Sequence, residues 1–162
     1  MIIGHKRNIL YLEGVLRKGT LAHAYLFYGP EAVGKKTVAV EFAKSVLCRE
    51  DSRRPFGGCG RCQDCREVDA TTHPDLLFLS RERPLAAEDL KREIGIKNIH
   101  ELRRLLGMTP WRGARRAVII DGAEALSGEA QSALLKTLEE PPSGTVFALV
   151  SASAEAVYPT IR

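Results

Sequence analysis

Ala24-Tyr-Leu-Phe-Tyr28-Gly29-Pro-Glu-Ala-Val-Gly34-Lys35-Lys36-Thr37 is the stretch on which the fold turns. Five nearly continuous apolar or aromatic residues run straight into a Gly-Pro pair, which predicts a buried parallel strand ending in a loop. From Lys35 to Leu47 the spacing changes, with Val38, Ala39, Phe42, Ala43 and Val46 recurring at helical intervals. The unit therefore reads as strand, glycine loop, helix.

Working outward, Ile9, Leu10, Leu12, Val15 and Leu16 predict an amphipathic helix from about His5 to Lys18, closed by Gly19. Further strands are predicted at Asp75–Leu79, Ala117–Asp121 and Thr145–Val150. Helices are expected over Ile99–Leu106 and Gly128–Glu140, the latter ended by Pro141-Pro142. Residues Ser80 to Glu93 read as a loop with a short helix. Four apolar strands alternating with helices imply a three-layer α/β domain, because parallel neighbours require crossover connections. With 162 residues, 44% hydrophobic and 27% charged, the chain fits one domain, residues 1–162, carrying a small insert at 48–66. It contains no apolar run of the roughly 20 residues a membrane helix needs. Its start lacks the pattern of a secretory signal, so a cytoplasmic location with no membrane partner is expected. A net charge of +4 and a pI near 9.0 fit work beside nucleic acid only loosely, since Lys and Arg are scattered as often as clustered.

Gly29-Pro-Glu-Ala-Val-Gly34-Lys35 between strand and helix has the context of a P-loop. There the backbone N–H groups wrap phosphate oxygens, the helix dipole adds positive potential and Lys35 supplies a point charge. The pattern asks next for a Ser or Thr whose hydroxyl binds Mg²⁺; Lys36 stands there instead, and Thr37 lies about 100° further around the helix. Asp121 ends an apolar strand where open α/β sheets place their ligands, which makes it the second acidic candidate. The residue after it, where hydrolytic relatives carry a glutamate, is Gly122, and the nearest acid is Glu124. The expected nucleotide-binding set is Gly29, Gly34, Lys35, Lys36, Thr37 and Asp121. Lys36 and Gly122 remove what magnesium-assisted hydrolysis needs, so ATP binding is expected to be weak, Mg²⁺ binding poor, and no catalytic residue is assigned.

Cys48, Cys59, Cys62 and Cys65 are the chain's cysteines. Two-residue gaps let thiolates of one tight turn face a common point. Cys48, at the end of the helix after the P-loop, completes a closed tetrahedral Zn²⁺ set, with His73 as an alternative fourth ligand. Ferredoxin-like spacing would want a further cysteine among residues 66–74, and none occurs there. Unligated thiols are the plain alternative.

In order and spacing these segments resemble bacterial DNA polymerase III clamp-loader subunits. The resemblance rests on Leu21-Ala-His-Ala-Tyr-Leu-Phe-Tyr-Gly-Pro30, the P-loop, the cysteine insert, Arg116-Ala-Val-Ile-Ile-Asp121 and above all Ala133-Leu-Leu-Lys-Thr-Leu-Glu-Glu-Pro-Pro142. It implies an AAA+-like fold; the zinc expected from the cysteine spacing is structural, because a full ligand set leaves no open position. The resemblance also implies a place beside tau/gamma and delta subunits, with primer-template DNA and the sliding clamp reached through the complex. Two subunit types share these segments. The tau/gamma motor carries Gly-Lys-Thr and Asp-Glu, whereas Gly34-Lys35-Lys36 and Asp121-Gly122 favour the delta-prime type, a scaffold that hydrolyses little or no ATP; an active motor subunit is the alternative. By the same resemblance a Ser-Arg-Cys motif is expected after Pro159-Thr-Ile-Arg162, and lid and collar domains lie beyond the chain. Ser151 and Ser153 fall near the sensor position. Arg103, Arg104, Arg112, Arg115 and Arg116 read mainly as solvated surface.

Overall fold

A computed structural model of the chain describes residues 4–50, 56–86, 92–155 and 157. The residues Pro159-Thr-Ile-Arg162 lie outside that set, as does the part of the expected short helix that falls on 87–91. Five α-helices accompany four strands among the described residues: α1 (Lys6–Lys18), β1 (Ala24–Tyr28), α2 (Lys35–Leu47), α3 (Gln63–Asp69), β2 (Leu76–Leu79), α4 (Ile96–Leu106), β3 (Arg116–Asp121), α5 (Gly128–Glu139) and β4 (Thr145–Ser151). A single 3-10 turn, Ala123–Ala125, follows β3.

The strands form one parallel sheet in the order β1-β4-β3-β2. Residue alternation along the two central strands builds both cores at once. Val118 and Ile120 of β3, with Phe147 and Leu149 of β4, face α4 and α5 through Ile99, Leu102, Leu134 and Leu138. Ala117 and Ile119, with Ala148 and Val150, face α2 through Ala39, Ala43 and Leu47. Small residues on this second face let α2 lie close to the sheet. A third cluster fixes α1 on α2, with Leu12 and Leu16 against Val38, Phe42 and Val46; the Tyr25 ring meets Phe42 edge-on at 4.8 Å. Each large side chain buried this way contributes roughly 1.5–3 kcal/mol. Helix, sheet and helix make the three expected layers.

Differences from the sequence reading are local. Helix α4 begins at Ile96 rather than Ile99, because Asn98, which looks like loop chemistry, is buried and accepts the backbone N–H groups of Leu85 (2.8 Å) and Ala86 (3.0 Å). Helix α3 lies where only a tight turn was expected. Arg116 is buried, not solvated: its guanidinium donates to the Leu105 carbonyl (2.8 Å) and the Met108 carbonyl (3.1 Å), closing the C-terminal end of α4.

The sheet order decides where the loops meet. From β1 the chain crosses to the far edge at β2 and steps back through β3 to β4, so the carboxyl ends of β1, β4 and β3 lie side by side and open on one crevice.

Candidate functional site

That crevice holds the phosphate loop. Gly34 is the N-terminal cap residue of α2 with φ of 89°, a left-handed value open to glycine, and it offers no capping side chain. The first N–H groups of a 13-residue helix therefore point outward with the positive end of its dipole, and no acidic residue occupies its first turn. Lys35 bends back over the loop, its Nζ donating to the carbonyls of Gly29 (2.8 Å) and Pro30 (2.5 Å). His5 Nε2 lies 2.6 Å from the Val33 carbonyl and ties the start of α1 to the same loop.

A cavity of about 340 Å³ opens here, lined among others by Gly34, Lys35, Lys36, Asp121, Glu124 and Ser151. Four of the six residues expected from sequence thus share one wall. Gly29 joins them through its bond to Lys35, whereas Thr37 is exposed and is not part of the lining. A second cavity of about 420 Å³, with His5, Asn8, Tyr11 and Tyr28, abuts Lys35 from the side of α1.

Across the first cavity Lys36 Nζ sits 3.0 Å from Asp121 Oδ2. The same ammonium lies 5.0 Å above the Phe78 ring. A cation of the chain itself therefore occupies the neighbourhood where a P-loop hydroxyl and a strand-end carboxylate jointly hold magnesium. Gly122 presents no side chain to a water, and Glu124 is engaged, its carboxylate accepting from the Ala152 backbone N–H at 3.2 Å. Ser151 and Ser153 bond to one another and to their own turn.

The cysteine group stands on the far end of α2. Cys48 is the C-terminal cap residue of α2, Cys59 lies in the following turn, Cys62 is the N-terminal cap residue of α3 and Cys65 is in its first turn. Their four Sγ atoms lie within 4.8 Å of one another, with Cys48–Cys62 at 3.9 Å and Cys59–Cys65 at 4.0 Å. Thiolates around a tetrahedral zinc with bonds of about 2.3 Å would be about 3.8 Å apart, so the set fits such an ion with small adjustments. Backbone N–H groups orient the sulfurs: Cys62 N donates to Cys59 Sγ (3.3 Å) and Cys65 N to Cys62 Sγ (3.4 Å). The Arg61 and Cys62 N–H groups bring the Cys59 thiol down to about 6, while burial pushes Cys65 up. His73 is not part of the group. Its Nδ1 accepts from the Asp75 N–H (3.0 Å) and its Nε2 lies 3.2 Å from Asp64.

Gly58 shows how tightly the centre is built, because a Cβ there would come 2.7 Å from Cys65 Sγ and 3.1 Å from the Lys44 carbonyl, at a φ of 64°. Gly58→Ala is therefore expected to cost at least 1–3 kcal/mol and to weaken metal binding. A urea midpoint unchanged from wild type, together with undiminished zinc content, would contradict this.

Sequence reasoning missed the polar network that surrounds this centre. Asp64, on α3 between two cysteines, is 3% exposed and accepts from Arg49 (2.9 Å) and Arg112 (3.4 Å) as well as pairing with His73. Burial pushes the Asp64 carboxyl up, but the Arg49 guanidinium and His73 outweigh it and leave it below its ordinary value. Glu67 pairs with Arg112, which holds that carboxyl low. The spacing of charged residues in a loop carries no signal for such a network. Only the position of Asp64 on the buried side of α3 does.

The family described as DNA polymerase III, delta subunit, matches residues 4–162. The delta' subunit of DNA polymerase III from Pseudomonas aeruginosa is 36% identical over 141 residues, 87% of this chain and 40% of that protein. The tau subunit from Escherichia coli is 31% identical over 160 residues, 99% of this chain and 23% of that protein. The chain thus spans less than half the length of these relatives. Among solved structures, a DNA polymerase III gamma subunit-related protein from Thermotoga maritima superposes with a TM-score of 0.63 at 22% identity, covering 93% of this chain and 42% of that one. RuvB from the same organism matches 98% of this chain and 42% of that one, with a TM-score of 0.50 and 16% identity. Those two likenesses bear on the fold, which is that of AAA+ P-loop domains. With the family match running along almost its whole length, the chain belongs to the DNA polymerase III, delta subunit, family.

Proposed function

We propose that residues 1–162 form the AAA+-like domain of a delta-prime-type clamp-loader subunit, with residues 48–66 as a zinc-binding insert. The subunit acts as a scaffold in ATP-dependent loading of the sliding clamp. Its neighbours are tau/gamma and delta subunits, and primer-template DNA is met through the assembly. Cys48, Cys59, Cys62 and Cys65 hold one structural Zn²⁺. Gly29, Gly34, Lys35, Lys36 and Asp121 form a phosphate site that binds ATP weakly and without a productive Mg²⁺; Thr37 stands at its margin.

The observation that carries this reading is the Lys36–Asp121 ion pair. An ammonium against the strand-end carboxylate removes one magnesium ligand and repels the ion, and Gly122 supplies no water-orienting acid. The same pair weighs against the tau/gamma motor as an alternative, although tau subunits match the chain almost end to end.

The test is reconstitution of the loader with the full-length protein in place of its delta-prime subunit. Lys35→Ala in this subunit is expected to change the clamp-loading rate by no more than about two-fold, whereas loss of the corresponding motor lysine should abolish it. A loss of loading for Lys35→Ala comparable with the motor substitution would overturn the scaffold assignment.

A further inference from the structure

Trp111 is the single tryptophan of the sequence and lies 74% exposed in the segment between α4 and β3, near Met108, itself 45% exposed. An exposed indole usually belongs to a loose loop, yet the backbone beneath this one is held by charged groups. Asp75, buried before β2, accepts the Trp111 N–H at 2.6 Å through Oδ1 and the Arg112 N–H at 2.9 Å through Oδ2. Charge-assisted bonds of this kind are roughly twice as strong as neutral ones.

The remaining supports come from the cysteine centre. Arg49, which directly follows Cys48, donates to the Arg112 carbonyl at 3.1 Å and to Asp64 at 2.9 Å. Arg112 reaches α3 twice, to Asp64 and to Glu67, the latter with Nη2 at 3.1 Å from Oε1. His73 links both halves. The Asp75 N–H can only donate, so His73 Nδ1 is the bare nitrogen, and its protonated Nε2 faces Asp64. Thus Asp64 and Glu67 of α3, Arg49 beside Cys48, and the His73–Asp75 pair all converge on residues 111 and 112. Helix α3 is seven residues long, begins at Cys62 and has Cys65 in its first turn. An isolated helix of that length is unstable in water, so its order depends on what clamps it.

We propose that the four-cysteine centre positions the Trp111 segment, with Asp64 as the positioning residue that transmits the order of α3 to it. This rests on the zinc reading given above. Metal at the sulfurs fixes α3; α3 fixes Asp64 and Glu67; these fix Arg112 and, with Asp75, set where Trp111 projects. Without the metal, the segment keeps Asp75 and the Arg49 bond to the Arg112 carbonyl but loses the hold of α3.

Time-resolved fluorescence anisotropy of Trp111 reads this directly, in the zinc-loaded chain, after chelation and after zinc is returned. Chelation is expected to raise the amplitude of the nanosecond local-motion component about two-fold, reversibly. Far-UV circular dichroism shows whether the domain stays folded. Should it unfold, the decision passes to Asp64→Asn in the zinc-loaded state, which keeps the side-chain shape and offers an amide to three donors. That variant is expected to keep one zinc and still mobilise Trp111. Glu13→Gln, on the half-buried partner of Arg17 in α1, should leave Trp111 unchanged. A zinc-loaded chain in which Asp64→Asn leaves the anisotropy unaltered overturns the coupling alone. A purified chain that binds no zinc overturns the metal reading and the coupling with it.

Discussion

Cys65→Ser is expected to abolish stoichiometric zinc binding and to lower folding stability by on the order of 3 kcal/mol or more. Cys65 is fully buried and its sulfur lies 4.0 Å from that of Cys59, so the hydroxyl would leave three thiolates facing an oxygen in a site shaped for four sulfurs. Loss of the ion would then release a turn whose backbone is held in left-handed conformations at Gly57, Gly58 and Gly60. Metal analysis with a urea titration measures both parts. Iron with visible absorption in place of zinc, or thiols in the wild-type chain that alkylate freely without denaturant, would refute the zinc assignment.

Nucleotide binding should be nearly indifferent to magnesium, and phosphate release should stay at background. Titration of a fluorescent ATP analogue is expected to give dissociation constants that differ less than about three-fold with and without Mg²⁺, because Lys36 already neutralises Asp121. Lys36→Thr restores a hydroxyl and uncovers the carboxylate, so in that variant magnesium should begin to tighten binding. Turnover is not expected to appear, since Gly122 still provides no acid. A magnesium-dependent turnover in the wild type that disappears in Lys35→Ala would revive the motor reading.

Much of this architecture was written in short-range patterns. The run Ala24–Tyr28 and the helix Lys35–Leu47 coincide with β1 and α2 because one apolar period gives way to another within the glycine loop. Two-residue gaps put Cys59, Cys62 and Cys65 in one short stretch, whereas Cys48 reaches their sulfurs from the end of α2. Asp121 was legible as a strand-end carboxylate, but its partner was not: Lys36 and Asp121 are 85 positions apart, and their contact requires β4 to lie between β1 and β3. Arg116 was misread for a related reason. An arginine beside other arginines looks like surface, and only the packing of α4 beside β3 puts its guanidinium on the carbonyls of Leu105 and Met108.

By itself the sequence determined the layers, the parallel sheet, the phosphate loop, the departures at Lys36 and Gly122, and the thiol set, since each depends on residue type and spacing over a few turns of chain. Tertiary structure alone decided the strand order, the Lys36–Asp121 ion pair, and the joining of Asp64, His73, Asp75 and Arg112 around Trp111. Those contacts join segments far apart in sequence, and a charge in water gains little from any particular partner until folding removes the solvent and fixes the distance.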